Sequence, residues 1–423
     1  MRNASRPSSG QAKGTVDVLV IGGGPAGATA AGLLASWGRR VTMLVRPGSR
    51  RSLAESLPPS CGKLFDRAGL RRAIDEAGFI RSTGNTVWWG GSGPRVERFG
   101  GGAYGYQVPR GAFDRLLAAA AEAAGAHVRR RATARGVARV ADGESPLSDV
   151  HVECAGGRDT VRARWVLDCT GRAGLLARRR WRRPEPGART LAIVATWDRR
   201  GGWDVADETH TLVESYDGGW AWSVPVSTSR RYVTVMVDPA LTSVAGRAQL
   251  AATYDAELAR APHLHDLVRR ARRGCEFWAR DASSYAATRV GDDGLLLVGD
   301  AASFVDPLSS YGVKKAMASA WLASVVVHTC LSKPERVAPA LELFEAREGA
   351  MYESLRRRLA QLSREAAGAH AAGFWHGRDD VDERQPDGEP DVVALRSDPE
   401  VLGAFEELKR RPSVQLRPTG AVS

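Results

Sequence analysis

The chain has 423 residues, of which 43% are hydrophobic and 26% charged, and this ordinary composition excludes a disordered or fibrous protein. The length exceeds the usual size of one domain, so two closely joined domains are predicted. The net charge of +12 comes almost wholly from arginine. No aromatic-interleaved nucleic-acid module accompanies it, so we expect a solvated face or a docking surface for an acidic partner, and no nucleic acid.

The cysteines and the apolar runs exclude further kinds of protein and of site. The five cysteines form no CxxC pair, which argues against a disulfide framework or a zinc site, and we expect no metal. No apolar run reaches about 18 residues, so no membrane span is predicted. Residues 1–13 lack the apolar core of a signal peptide, and we interpret them as the disordered lead of a cytoplasmic protein.

The first elements in chain order are typical of a βαβ unit. The apolar run Val16–Ile21 ends in glycines and predicts a buried parallel strand. Small residues and leucines recur at helical spacing over 26–37, and a second apolar run covers 40–45. Together these stretches predict the start of a Rossmann-type sheet.

A glycine pattern stands between the first strand and the helix. Gly22, Gly24 and Gly27 form G-x-G-x-x-G, which permits a tight turn, close approach to a pyrophosphate, and packing of helix against strand. The helix that begins at Pro25 and Ala26 offers its N-terminus to the anion. The pattern predicts a dinucleotide site, with a turn that merely packs as the alternative.

The second strand ends without the acid that would bind ribose hydroxyls. Val45 and Arg46 stand there, and an arginine can accommodate a 2′-phosphate. This position alone favours NADP, whereas a motif nearer the C-terminus favours FAD.

The rest of the chain predicts an inserted sheet and a helical end. We expect a helix over 109–126, a strand over 163–171, and an antiparallel meander over 190–238, where alternating stretches follow one another. Residues 312–371 are predicted to be largely helical. The acidic segment after Gly373 indicates a loop or mobile tail.

The FAD motif begins where a later strand ends in Gly299 and Asp300 and leads through Pro307 to Gly312. An acid at a strand end can bind a ribityl hydroxyl, and the following helix N-terminus can stabilise a negatively charged isoalloxazine. With these residues the chain resembles the FAD-dependent monooxygenase superfamily with the para-hydroxybenzoate hydroxylase fold.

The resemblance implies an FAD site. It assigns the three glycines and Arg110 to the adenine and pyrophosphate part, and Asp300 to the ribityl part. The expected cofactor-binding residues are Gly22, Gly24, Pro25, Ala26, Gly27, Arg46, Glu55, Ser56, Arg110, Gly299, Asp300, Pro307, Gly312 and Val313.

The expected fold is α/β, with a Rossmann-type FAD-binding domain, an inserted mainly antiparallel β-sheet substrate domain and a C-terminal helical segment. The FAD-binding domain is discontinuous. The expected boundaries are 14–185 and 286–330 for that domain, 186–285 for the substrate domain, 331–372 for the C-terminal helices and 373–423 for a tail.

Three further motifs are similar to the flavin-dependent halogenases. They are "GWAWSVP" from Gly219, the spacing F-x-x-P-x-x-S-x-G from Phe304 to Gly312, and "AESLPPS" over 54–60. Side chains two apart on a strand share a face, so Trp220 and Trp222 are expected to line the pocket or to close a core. Together with Ser310 at the flavin edge, they are the candidate catalytic residues.

One residue departs from the halogenase pattern. The resemblance places the essential halogenase lysine at Ser82, which follows Arg81, and arginine cannot replace the amine because it stays protonated. In this respect the chain looks more like lysine-lacking hydroxylases of the branch, including flavoproteins that oxidise a partner protein's tryptophan while a quinone cofactor matures.

The resemblance therefore implies an FAD-dependent monooxygenase. We expect it to hydroxylate an indole or phenol-like ring, small, carrier-bound or peptide-borne, through a flavin hydroperoxide. The alternatives are a halogenase with a substituted lysine, a flavoprotein like the isoprenoid reductases, and a non-catalytic, flavin-stabilised maturation chaperone. Because "LDCTGR" from Leu167 is closer to the halogenase pattern than to that of one-component hydroxylases, a separate NAD(P)H flavin reductase is the expected electron source.

Overall fold

The computed structural model describes residues 14–48, 53–140, 146–178, 181–185, 189–242, 246–371 and 373–378. The helices are α1 (Pro25–Ser36), α2 (Gly62–Arg67), α3 (Arg71–Glu76), α4 (Arg110–Ala123), α5 (Gly246–Ala259), α6 (Pro262–Val268), α7 (Gly312–Ser332) and α8 (Val337–Ala367). The strands are β1 (Val16–Ile21), β2 (Val41–Val45), β3 (Ala54–Leu57), β4 (Ile80–Ser82), β5 (Gly84–Trp88), β6 (Arg95–Arg98), β7 (Gly105–Pro109), β8 (His127–Arg130), β9 (Thr133–Val140), β10 (Leu147–Cys154), β11 (Gly157–Asp168), β12 (Arg182–Pro184), β13 (Leu191–Asp198), β14 (Thr211–Tyr216), β15 (Gly219–Pro225), β16 (Arg230–Val237), β17 (Arg272–Asp281), β18 (Tyr285–Ala287), β19 (Gly291–Asp292), β20 (Leu295–Leu297) and β21 (Ser303–Phe304).

The nucleotide sheet has the strand order β19-β20-β11-β1-β2-β8. The strands from β20 to β8 run parallel. β1 is apolar throughout its buried part because both faces are covered: Val18 and Val20 pack in one cluster, and Leu19 and Ile21 in another. On one side of the sheet α1 packs against α4 and α7. The predicted βαβ start is confirmed.

The antiparallel sheet has the order β17-β13-β16-β15-β14-β5-β6. Its pairs are antiparallel except for β14 and β5. β5 and β6 precede the range expected for the substrate domain, yet they belong to this sheet because β5 pairs with β14. One face of the sheet packs against α5 and α6. The opposite face is the tryptophan face, formed by Trp89, Trp220, Trp222, Phe374 and Trp375.

The C-terminal part of the described chain closes the tryptophan face. The long helix α8 packs on α7, and the chain then turns back onto the sheet over 373–378. These are the first residues of the expected tail, and Phe374 and Trp375 are each only 1% exposed. The rest of that tail, 379–423, and the expected lead, 1–13, lie outside the described residues.

The observed architecture confirms the predicted fold class: a parallel Rossmann-type sheet, an antiparallel sheet and a long C-terminal helix. The boundaries between the domains stay a prediction. Within the described residues, no helix is both long enough and apolar enough to cross a membrane.

Candidate functional site

The three motif glycines are needed for two different reasons. Gly22 has a φ of +118°, and a Cβ on it would lie 2.3 Å from the Cys169 carbonyl oxygen. A Cβ on Gly27 would lie 1.8 Å from the Gly22 carbonyl oxygen. Both positions therefore exclude any side chain. Gly24 differs, because the nearest atom to its Cβ position is Nη2 of Arg110 at 3.8 Å, which leaves open space in front of α1.

Arg110, the first residue of α4, faces this space. It donates hydrogen bonds to Glu55 at 3.1 Å and to Asp114 at 3.0 Å. Burial opposes its charge, but Asp114 and Glu55 raise the pKa of Arg110. Desolvation raises the pKa of Glu55, against the lowering effect of Arg110. The result is a partly exposed guanidinium held opposite the start of α1, where an anion binds best.

The Gly299 and Asp300 turn follows β20 on the other side of α1. Gly299 has a φ of +65°, and a Cβ on it would lie 3.3 Å from both Ala26 and Ala316. The Asp300 carbonyl accepts a hydrogen bond from the Tyr285 hydroxyl at 2.6 Å. The Asp300 side chain is partly exposed, so its carboxylate is available to a ligand.

A small cavity, part of it open to solvent, joins the expected cofactor residues to the expected catalytic residues. The lining residues are Ala54, Glu55, Ser56, Thr211, Val213, Trp220, Trp222, Val224, Pro307, Leu308 and Ser310. The cavity therefore reaches from the Arg110 partner Glu55 to the tryptophan face.

The two indoles of β15 lie side by side on one wall of this cavity. Their ring centroids are 5.0 Å apart, with an angle of 53° between the planes. Trp220 is 1% exposed and also packs in the core of the tryptophan face, whereas Trp222 is half-buried. Ser310, with a φ of +53°, ends the turn from Pro307 opposite them, just before α7 begins at Gly312 and the buried Val313.

The position expected for a halogenase lysine lies outside the cavity lining. Ser82 is buried, and its hydroxyl donates to the Gly84 carbonyl at 3.0 Å. Arg81 points elsewhere, because its guanidinium lies 4.6 Å from the Tyr104 ring and pairs with Asp75. Among the described residues, no lysine lines the cavity.

Arg46, at the end of β2, is exposed. Sequence reasoning missed Arg280, in β17 of the antiparallel sheet. Burial and the nearby charges of Arg110, Arg46 and Arg172 lower the pKa of Arg280, so this arginine lies within electrostatic reach of Arg110. Nothing in the local sequence marks this arginine.

Arg378, in the segment expected to be a tail, is a second residue that sequence reasoning missed. Its guanidinium donates to the Thr190 hydroxyl at 2.6 Å and to the Arg189 carbonyl at 2.5 Å. It lies 3.6 Å from Asp238 and 4.0 Å from Asp306, and Asp306 immediately precedes the cavity-lining turn. The C-terminal segment is thereby attached to the edge of the cavity.

Fold and cleft together define an α/β flavoprotein of the dinucleotide-binding class. The family described as FAD binding domain matches residues 15–327, and the chain belongs to it. It is similar to FAD-dependent oxidoreductases of the halogenase and monooxygenase group.

Two curated relatives are halogenating enzymes by name. A tryptophan 2-halogenase from Chondromyces crocatus is 31% identical over 350 residues, which cover 79% of this chain and 65% of the relative. The chain thus spans just under two thirds of that enzyme. A 1H-pyrrole-2-carbonyl-[peptidyl-carrier protein] chlorinase from Pseudomonas fluorescens is 29% identical, over 73% of this chain and 74% of the relative.

Two solved structures share the fold at similar identity. The myxobacterial chondrochloren halogenase CndH superposes with a TM-score of 0.79 at 27% identity, over 88% of this chain and 87% of its own. The peptidyl tryptophan dihydroxylase QhpG superposes with a TM-score of 0.71 at 26% identity, over 88% of this chain and 80% of its own. The neighbours therefore include both a halogenase and a hydroxylase.

Proposed function

We propose that the chain binds FAD in the cleft between the glycine turn and Asp300. The open space at Gly24 and the guanidinium of Arg110 fit a pyrophosphate, because α1 begins there without a side-chain cap. Asp300 would bind a ribityl hydroxyl. Glu55, Ser56, Pro307 and Ser310 would line the flavin side of the cavity, since they contact the same space as the indoles.

We infer that the substrate is an aromatic ring placed against Trp220 and Trp222. When bound and reduced, FAD supplies the electrons with which one atom of O₂ enters a substrate and the other becomes water. The chain itself holds the ring and excludes water. Stacked and edge-on aromatic contacts favour a flat, electron-rich ring at this wall, and positioning close to the reacting atom provides much of the rate.

Ser82 is the residue that favours hydroxylation over halogenation. It occupies the place of the halogenase lysine with a buried hydroxyl bonded to backbone, and among the described residues no lysine replaces it at the cavity. Such a site would transfer oxygen to the ring, because it has no lysine amine through which a halogen could be transferred.

Halogenation is the second candidate, and the names of the relatives support it more directly than they support hydroxylation. The tryptophan 2-halogenase and the carrier-protein chlorinase favour a halogenated indole or a carrier-bound pyrrole. QhpG favours a peptide-borne tryptophan as the hydroxylation substrate. Ser82 and the relatives thus point in different directions, and product chemistry separates them.

The decisive experiment is product mass under ¹⁸O₂ in the presence of bromide. The FAD-loaded protein, with NADH and a flavin reductase, is given indoles, phenols, a pyrrolyl carrier-protein thioester and a tryptophan peptide. Incorporation of one oxygen-18 independent of bromide is expected. A bromine isotope doublet would replace this proposal with the second candidate. No product from FAD-loaded protein on any of these substrates would overturn both.

The electron source is tested in the same reactions. We propose that a separate reductase delivers the reduced flavin, so the chain alone should not oxidise NADH or NADPH at a useful rate. Rapid NADPH oxidation by the isolated chain, stimulated by substrate, would contradict this and would give the exposed Arg46 a role in binding the 2′-phosphate.

A further inference from the structure

One face of α7 holds both backbone polar groups of Gly299. The Lys315 ammonium donates to the Gly299 carbonyl at 3.1 Å and to the Ser303 carbonyl at 2.5 Å. The Ser319 hydroxyl accepts the Gly299 N–H at 2.8 Å. Lys315 and Ser319 are four residues apart and so lie on the same side of the helix. We call these two side chains the α7 clamp.

The α7 clamp acts on the turn that presents Asp300. Gly299 is held in the left-handed region at a φ of +65°, and a Cβ on it would lie only 3.3 Å from both Ala26 of α1 and Ala316 of α7. Its carbonyl and N–H therefore have few directions in which to turn. Because Asp300 is the next residue, the position of its carboxylate depends on the two hydrogen bonds to Gly299.

The α7 clamp contains a buried positive charge. Lys315 is only 4% exposed, and among the described residues its ammonium donates to two neutral carbonyls. A buried ammonium is costly unless an anion lies nearby. Because this charge lies in an apolar contact between helices, we expect an acidic side chain from another element near it.

Glu348 of α8 is that acid. It is 2% exposed, and neither carboxylate oxygen has a hydrogen-bond partner among the described residues. Burial raises the pKa of Glu348 above its usual value, although nearby Lys315 and Ser319 act in the opposite direction. Glu348 therefore lies buried in the contact between α7 and α8, within electrostatic reach of Lys315.

We propose that Lys315 and Ser319 are positioning residues for FAD, and that Glu348 keeps the α7 clamp in its binding arrangement by balancing the Lys315 charge. This inference rests on the FAD site proposed above. It adds α8, which lies beyond the matched residues 15–327, to the machinery that holds the cofactor. Loss of Lys315 frees the Gly299 turn, and FAD then binds to a site that is ordered only part of the time.

The test measures FAD affinity and the visible circular dichroism of bound FAD, with thermal unfolding of the apoprotein as a separate readout. The variants are Lys315→Met, Ser319→Ala, Glu348→Gln and the double variant Lys315→Met with Glu348→Gln. Ser324→Ala is the matched control, because Ser324 is also buried in α7 but donates only to Ala320 of its own helix at 2.7 Å.

Lys315→Met should weaken FAD binding by about tenfold to a hundredfold, since a hydrogen-bonded charge is lost. Ser319→Ala should weaken it by roughly threefold to tenfold, and Ser324→Ala should leave it unchanged. Adding Glu348→Gln to Lys315→Met should weaken binding no further, because Glu348 acts through Lys315. The dichroism of bound FAD should change with Lys315→Met and Ser319→Ala alike.

The inference is overturned if Lys315→Met and Ser319→Ala bind FAD with wild-type affinity and spectrum while only the apoprotein melts earlier. If Lys315→Met does not fold, the comparison of Ser319→Ala with Ser324→Ala decides, and equal affinities would refute the α7 clamp. Failure of the wild-type chain to bind FAD would instead refute the proposed function, and this outcome is seen before any variant is made.

Discussion

The glycine turn and the tryptophan face are built in different ways, although both border the same proposed site. At the glycine turn, the backbone just after β1, the backbone just after β11 and the start of α1 come so close that Gly22 and Gly27 admit no side chain. The tryptophan face depends on large side chains: Trp89, two from β15 and two from residues more than a hundred positions after β15. Backbone contacts leave no room for variation, whereas side-chain packing tolerates replacement at a graded cost.

The strongest test of this difference is Gly27→Ala. The new Cβ would lie 1.8 Å from the Gly22 carbonyl oxygen, so α1 must move away from β1, and we expect a loss of more than about 4 kcal/mol of stability. Gly24→Ala is the matched variant, because its Cβ has 3.8 Å of space. It should unfold like the wild type and lose FAD affinity only. Equal unfolding temperatures for the two variants would contradict the account of the turn.

Trp375→Ala should be the most damaging single truncation of the C-terminal segment. The side chain is 1% exposed and its indole N–H donates to the Tyr216 carbonyl at 2.9 Å, so a loss of about 3–5 kcal/mol is expected in urea unfolding. Trp375→Phe should lose only about 1–2 kcal/mol. His376→Ala, at an exposed neighbouring position, serves as control. A wild-type midpoint for Trp375→Ala would show that the segment does not pack on the sheet.

Arg110→Met should affect the cofactor more than the fold. Its guanidinium faces the open space at Gly24, and the loss of a charged contact to pyrophosphate is expected to weaken FAD binding by about tenfold to a hundredfold. Fluorescence titration of FAD measures the change. Arg115→Met, on an exposed turn of the same helix, should bind like the wild type. If both variants bind equally well, Arg110 does not contact the cofactor.

The smallest expected effect is a pH dependence from His210, on the back of the tryptophan face. Its ring is 1% exposed and bonds to Thr83 and Thr86, and burial lowers the pKa of His210. The unfolded chain therefore takes up a proton near pH 6.5 that the folded chain resists, so stability falls as the pH drops below about 6.5. His210→Gln should make this fall shallower, because glutamine takes up no proton in this pH range. The free energy of unfolding is measured in urea at several pH values. If its pH dependence is the same in the wild type and in His210→Gln, His210 is not a neutral buried ring.

The cofactor side was largely predictable, because each of its signals occupies a few consecutive residues. The glycine pattern and the Gly299 and Asp300 turn each follow a short apolar strand, β1 and β20, and the observed nucleotide sheet places these strands on either side of β11. The shared face of Trp220 and Trp222 was also predictable, since alternation along a strand places both side chains on one side. Their catalytic and cofactor-binding roles remain proposals.

The connections between distant segments could not be predicted in the same way. Arg378 was expected in a tail, yet it bonds to Thr190 beside the cavity. β5 and β6 join the antiparallel sheet through β14, although they come before the inserted segment. Such contacts depend on which surfaces meet after folding. Hydrophobic periodicity in one sequence indicates local helices and strands, but it does not indicate which distant segments contact each other.

By itself, the sequence determined the fold class, the dinucleotide turn and the presence of an indole pair, because backbone sterics and strand alternation act over a few residues. Only the tertiary structure decided that Lys315 and Ser319 hold Gly299 and that Trp375 closes the sheet. These features arise from packing among α7, α8 and the antiparallel sheet, where the partners of each side chain come from separate parts of the chain.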